Sequence, residues 1–346
     1  MNLAQARIAG RLVSARREAR ALPLSLASLP GTLEESYAFQ SALIELWDRP
    51  IAGWKVGRVL GAEAKRWDVD RFVGPIFAGS LVQAGRDHIT EFPAIAGGTS
   101  AFEAELLAEL HSDVLPRFQP WSSDEAAKKV GQWRIGIEIA GCPVPGISAI
   151  GALGSISAFG NNFGVIVGAS IGRPEPCLLD QVACRTIIDD DEAGTGRAGN
   201  LPGGPLGALA FALNHFATRK VTLPAGCLIA TGAITGVHPV RIGQRCTAHF
   251  GTYGAIDCVA VSYTHLMLRM SPSCLLQHSA NGADQSIVAL ASNQLQTDRH
   301  SSRASQRNAQ RRMPGKIERS HEPGHRQSFE CITGVGKETW QTWHGR

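Results

Sequence analysis

Residues 102–110 read Phe-Glu-Ala-Glu-Leu-Leu-Ala-Glu-Leu, and the folding of this stretch decides the rest. As a strand it puts Phe102, Ala104, Leu106, Ala108 and Leu110 on one face and Glu103, Glu105, Leu107 and Glu109 on the other, because strand side chains alternate. A helix over 104–110 is the alternative; the period of two favours a strand with one core face. Trp133–Ala140 alternates in the same way, with Ile135, Ile137 and Ile139 on one side and Arg134, Gly136 and Glu138 on the other.

Working outward, residues 1–20 read as a helix with Leu3, Ile8, Leu12 and Val13 toward the core. The same residues are Arg-rich and could mimic a transit peptide; an amphipathic helix is the expected reading. After a turn at Pro30-Gly31, Thr32 and Glu35 form a capping box opening a second helix to about Asp48. Ile51–Val56 is a short strand and Ala62–Trp67 a helix, while 73–81 is irregular and punctuated by Gly and Pro. Ser123 is expected to cap a short helix to Val130. An apolar run at 165–167 is followed by expected strands near 182–188, 226–231, 244–250 and 255–262, a turn at Asp189-Asp190-Asp191, a Gly-rich loop over 194–204 and a helix over 206–220. Many short strands with few helices give a strand-dominated α+β fold.

The net charge of +4 does not belong to the body of the chain. Residues 267–346 hold 11 Lys+Arg and 6 Asp+Glu, which leaves 23 basic and 24 acidic groups in residues 1–266. Nucleic-acid binding by the body is therefore not expected. No run is apolar enough to span a membrane and no secretory signal is recognised. Eight cysteines without a C-x-x-C pair read as buried thiols in a reducing cytoplasm. The expected organisation is a helical N-terminal or cap region over 1–80, a β-rich domain over 81–264, and an atypical tail over 265–346 that is disordered or non-native. The tail is rich in Ser, Gln, Arg and His and lacks apolar periodicity after Ala291.

Glu103 and Glu105 leave one strand face with roughly 7 Å between their Cα atoms. Carboxylates that close repel one another unless a cation sits between them. With Glu138 they make a hard-oxygen set suited to Mg²⁺ or Mn²⁺. Taken alone, E-x-E is also what a solvated strand face looks like. Lys55, in Gly53-Trp-Lys-Val-Gly57, either snorkels to water or faces an anion. Gly194–Gly204 lacks the Lys-Ser/Thr of a phosphate loop, His215 reads as a helix-surface residue, His238 as a turn residue, and Ser155 and Ser157 lack a nucleophile-elbow context.

Several segments in order resemble the 2-keto-4-pentenoate hydratases and 4-oxalocrotonate decarboxylases of the fumarylacetoacetate hydrolase superfamily. They are Glu35-Ser-Tyr-Ala-Phe-Gln40, Gly53-Trp-Lys-Val-Gly57, Gly74-Pro-Ile-Phe77, Phe102-Glu-Ala-Glu105, Gly136-Ile-Glu-Ile139, Gly204-Pro-Leu-Gly-Ala-Leu209 and Ala225-Gly-Cys-Leu-Ile-Ala-Thr-Gly232. The resemblance covers roughly residues 5–262 and implies a mixed β-roll with a small helical N-terminal region. It implies Mg²⁺ or Mn²⁺ on Glu103, Glu105 and Glu138, gripping the 2-oxo and carboxylate oxygens of a small 2-oxo acid. Lys55 and Glu105 would be catalytic. Tyr37, Gln40, Lys55, Asn162, Thr231 and Gly232 would bind substrate, Thr231-Gly232 by a hydroxyl and a backbone N–H. The implied activity is hydration of a 2-hydroxy-2,4-dienoate in aromatic-compound catabolism, by a homo-oligomer. Decarboxylation of a 4-oxalocrotonate-like acid, acylpyruvate hydrolysis, and a non-catalytic partner subunit are the rivals. The hydrolase relatives usually have a His–Glu pair near the N-terminus, whereas the first histidine here is His88. Where the family has Ala-Asp-Asn, this chain has Gly160-Asn161-Asn162. An aspartate is missing there, and asparagine cannot act as a base.

Overall fold

The structure, a computed structural model, describes residues 3–85 and 88–262. The expected tail, with Cys274 and Cys331, lies outside the described residues. In chain order the elements are α1 (Leu3–Arg17), α2 (Leu33–Trp47), β1 (Ile51–Arg58), α3 (Gly61–Trp67), β2 (Arg71–Phe77), β3 (Leu81–Gln83), β4 (Thr90–Ala94) and β5 (Thr99–Leu110). They continue with α4 (Ser123–Ala127), β6 (Val130–Cys142), α5 (Gly151–Ile156), β7 (Asn162–Gly172), α6 (Pro176–Asp180), β8 (Ala183–Ile188) and β9 (Asp191–Arg197). The last are α7 (Gly204–Thr218), β10 (Leu228–Ala230), β11 (His238–Pro239), β12 (Arg245–His249) and β13 (Ala255–Ser262).

The larger sheet has the order β2-β1-β10-β5-β6-β7-β3, with β11 also paired to β5. It is mixed: β1 runs parallel to β10 and β3 to β7, while β10, β5, β6 and β7 are antiparallel in turn. Its ends curl toward each other, so that Gly74 on β2 lies against Gly160 just before β7. The strands thus enclose an interior, and the central strands β5 and β6 are buried on both faces along most of their length. The outer face, with Phe102, Ala104, Leu106, Ile135, Ile137 and Ile139, shares one core with α7 and with the smaller sheet β4-β13-β12-β8-β9. The inner face carries Ile76, Leu107, Val165, Val167, Leu228 and Ala230. This is the expected strand-dominated α+β fold. Among the described residues, no helix is long and apolar enough to cross a membrane.

Local chemistry explains the helix ends. Thr32 Oγ1 accepts the Glu35 N–H at 3.2 Å, Glu35 reaches back to the Gly31 N–H, and Asp48 closes α2 in the left-handed region at φ 50°. The short helix at 123 is capped one residue earlier than expected. Ser122 and Glu125 form a complete capping box, and the helix stops at Ala127.

Four other expectations need correction. Residues 73–77, part of the stretch read as irregular, belong to β2, because Gly74 and Pro75 occupy a sheet end instead of breaking the strand. Residues 194–197, read as the start of a Gly-rich loop, lie in β9, which pairs to β8 across a tight turn with Asp189 at φ 54°. Leu3 is 72% exposed and does not join the α1 core. Residues 51–77, grouped by sequence with the helical N-terminal region, supply β1 and β2 to the same sheet as β5. Of the described cysteines, Cys142, Cys184, Cys227, Cys246 and Cys258 are buried free thiols and Cys177 is exposed.

Candidate metal centre

β5 and β6 pair in a register that sets Glu103 opposite Glu138 and Glu105 opposite Gly136. The three carboxylates point into the roll, where Glu103 is 6% exposed and Glu105 and Glu138 are 0%. One oxygen of each lies within 4.8 Å of the others. This is not the solvated face that E-x-E alone could have meant.

Lys55 enters the same space from β1. Its Nζ lies 3.3 Å from Glu138 Oε1 and over the Phe72 ring at 5.4 Å. Asn162, at the start of β7, donates its side-chain N–H to the same Glu138 oxygen at 3.2 Å. On the other side, the Gly232 N–H donates to Glu105 Oε2 at 2.9 Å. Gly232 has φ 110°, a conformation glycine tolerates and which turns its N–H inward.

The electrostatics follow from burial. Desolvation pushes the Glu103 carboxyl up to about 7, against the pull of Lys55. It pushes Glu105 well up, helped by Glu138 and Glu103. Burial also pulls on the Lys55 ammonium, but the three carboxylates, Glu138 first, outweigh it and hold the group above its ordinary value. One cation faces three acids, so the cluster is short of positive charge. Two carboxylate oxygens, Glu105 Oε1 and Glu138 Oε2, and Asn162 Oδ1 are buried with no hydrogen-bond partner. Orphaned buried acceptors are costly. All of these acceptors are hard oxygens, so the residues present fit a divalent cation of the Mg²⁺ or Mn²⁺ kind.

Not every expected site residue is placed among the carboxylates. The Tyr37 hydroxyl accepts the Val73 N–H at 3.2 Å, and Gln40 Nε2 donates to the carbonyls of Val73 and Ile156 at 3.1 and 3.0 Å. Both tie α2 onto the edge of β2. The Thr231 hydroxyl donates to the Leu106 carbonyl at 2.8 Å, and the Gly232 N–H serves Glu105. In this structure both donors are engaged by the site's own residues. His215 is a packing residue between α7 and Tyr37, with ring centroids 5.0 Å apart. His238 is buried on β11, opposite Phe102, and bonds Thr235.

Sequence reasoning missed the role of two glycines. A Cβ on Gly160 would meet Gly74 Cα at 2.7 Å and Lys55 Cδ at 3.3 Å. That close approach brings the lysine stem against the turn before β7. The signal was the Phe-Gly-Asn-Asn run, which has no pattern of either period. An open cleft of about 740 Å³ lined by Arg185, Arg197 and His249 lies on the smaller sheet and includes none of the acidic residues.

No protein-family model matches the chain, and no curated protein matches it by sequence. Solved structures do match. The 4-oxalocrotonate decarboxylase from Pseudomonas putida G7 complexed with magnesium and adipate superposes with a TM-score of 0.62 at 17% identity, covering 74% of this chain and 97% of that one. The same enzyme complexed with calcium and acetate gives 0.63 at 17% identity, covering 75% and 99%. A fumarylpyruvate hydrolase from Pseudomonas aeruginosa with Mn²⁺ and pyruvate gives 0.45 at 17% identity, covering 60% and 88%. The likeness is one of fold: this chain folds as that 4-oxalocrotonate decarboxylase does.

Proposed function

We propose that the chain is a Mg²⁺- or Mn²⁺-dependent hydratase of a 2-hydroxy-2,4-dienoate, acting in the breakdown of aromatic compounds and working in the cytoplasm as a homo-oligomer. The observation that carries this reading is the group Glu103, Glu105 and Glu138. It is buried, within 4.8 Å, and left with unpartnered oxygens. The magnesium and calcium complexes of the P. putida decarboxylase with small carboxylates support it.

Glu103, Glu105 and Glu138 would hold the cation, which supplies Lewis acidity toward the oxygens of a 2-oxo acid. The chain's own residues do the rest. Lys55 Nζ offers positive charge to the substrate carboxylate and a proton within the dry interior. Asn162 and Lys55 fix Glu138, and the Gly232 N–H fixes Glu105. The roll interior excludes bulk water, so these charges act undiluted.

Decarboxylation of a 4-oxalocrotonate-like acid is the second reading. The observation in its favour is Asn161, whose side chain bonds Ser155 and offers no acid or base for adding water. Turnover of 2-hydroxypenta-2,4-dienoate, 2-oxohex-3-enedioate and an acylpyruvate, each with Mg²⁺, tests the choice. Water addition to the first supports the hydratase. CO₂ release from the second, with no turnover of the first, replaces it.

A further inference from the structure

Arg16 on α1 is 3% exposed, yet it forms none of the ion pairs found among the described residues. Its Nε has no hydrogen-bond partner. The guanidinium is surrounded by rings: its Cζ lies 4.8 Å from the centroid of Phe159, 4.9 Å from Phe163, 5.2 Å from Trp47 and 6.0 Å from Phe77. Trp47, Phe77 and Phe159 also pack on one another. Burial draws the guanidinium down to about 9. An unpaired buried charge is expensive, and an apolar side chain of similar size fills such a space more cheaply. Retaining a charge here calls for a directional role, and cation–π contacts supply direction.

Two of the four rings belong to Phe159 and Phe163, the residues on either side of 160–162. Phe159, Gly160 and Asn161 have φ of 56°, 67° and 59°. Three consecutive left-handed residues, two of them not glycine, do not hold that shape unaided. The turn nevertheless has demanding neighbours. Gly160 lies against Gly74 and the Lys55 stem, and Asn162 donates to Glu138 at 3.2 Å.

We propose that Arg16 is a positioning residue, its guanidinium gripping the rings of Phe159 and Phe163 and thereby clamping the left-handed turn that sets Asn162 on Glu138. The clamp deepens the reading of the acidic cluster as a metal centre and rests on it for its purpose.

Full-length wild type, Arg16→Met and Arg16→Lys test the clamp by two readouts. The first is amide hydrogen exchange of 158–164 compared with 209–216 in α7. Arg16→Met is expected to speed exchange about 10-fold in the turn and leave α7 unchanged. Arg16→Lys, which keeps charge but not the plane, falls between. The second readout is Mn²⁺ affinity, expected to drop roughly 10-fold in Arg16→Met, the scale of an outer-partner loss. Unchanged exchange in the turn, or an equal rise throughout the chain, overturns the clamp. If Arg16→Met fails to fold, Phe163→Leu removes one ring and is judged by the same two readouts. A wild type that binds no Mn²⁺ counts against the metal centre, while the exchange comparison still decides the clamp.

Discussion

Glu103 and Glu138 face one another directly across the β5–β6 ladder, two buried carboxylates at a position where strands usually place compatible partners. Without a cation this pairing destabilises the protein. Glu103→Gln removes one of the like charges and leaves the Lys55–Glu138 pair intact. Thermal unfolding of metal-free protein is expected to shift upward by a few degrees, roughly 1 kcal/mol, and the gain in Tm that Mn²⁺ gives wild type is expected to vanish. A lower metal-free Tm with the Mn²⁺ gain retained speaks against this account of the pair.

Lys55 and a metal ion draw on the same carboxylates. Lys55→Met therefore leaves three buried acids without their cation, at a cost of about 3–5 kcal/mol in metal-free protein. Mn²⁺ should bind the variant more tightly than wild type and restore much of the loss, while turnover disappears. Calorimetric titration set beside a rate assay checks this divergence. Parallel loss of binding and stability would show that Lys55 helps to build the metal site itself.

His215 gives a pH signature away from the acidic cluster. Burial, with Arg219 adding to it, holds its ring down at about 4, below its ordinary 6.5. The unfolded chain takes up a proton below about 6.5 that the folded chain refuses until about 4. The contribution is thus complete above 6.5 and is lost as pH falls through that window, up to about 3 kcal/mol. His215→Phe should flatten the stability difference between pH 7 and pH 5 in urea unfolding. An unaltered difference would place the acid sensitivity elsewhere.

Gly160→Ala puts a methyl 2.7 Å from Gly74 Cα at a residue with φ 67°. Neither backbone can yield easily, so a loss of about 1–3 kcal/mol is expected, together with weaker Mn²⁺ binding through the displaced Asn162, which holds Glu138. Gly31→Ala, where a Cβ meets nothing within 4 Å, serves as the control. Equal effects at the two positions would contradict the close-approach argument.

Much of this was legible in the sequence for a physical reason. β5 and β6 announced themselves because strict alternation has one structural cause, and the capping box at Thr32 and Glu35 marked the start of α2. The faces were assigned correctly; that both faces of β5 would be dry was not visible, since a roll interior can hold glutamates only if other strands close over them. β2 and β9 hid for opposite reasons. Phe72–Phe77 is apolar throughout without alternation, and Asp191–Arg197 has almost no apolar residue and exists through its ladder with β8. The acidic trio could be named from spacing and resemblance, but its convergence depends on register, which no local pattern encodes. Tyr37, Gln40 and Thr231 carry polar groups whose partners within the fold no local pattern names; in the structure they bond Val73, Ile156 and Leu106.

The central claim is that Glu103, Glu105 and Glu138 share one divalent cation. Titration of full-length protein with Mn²⁺, read by electron paramagnetic resonance of the free ion, tests it most directly when run beside Glu105→Gln, which can keep the Gly232 hydrogen bond. The account predicts saturable binding by wild type and an affinity loss in the variant beyond the roughly 10–100-fold that an outer partner costs. Equal Mn²⁺ binding by the two proteins would contradict it.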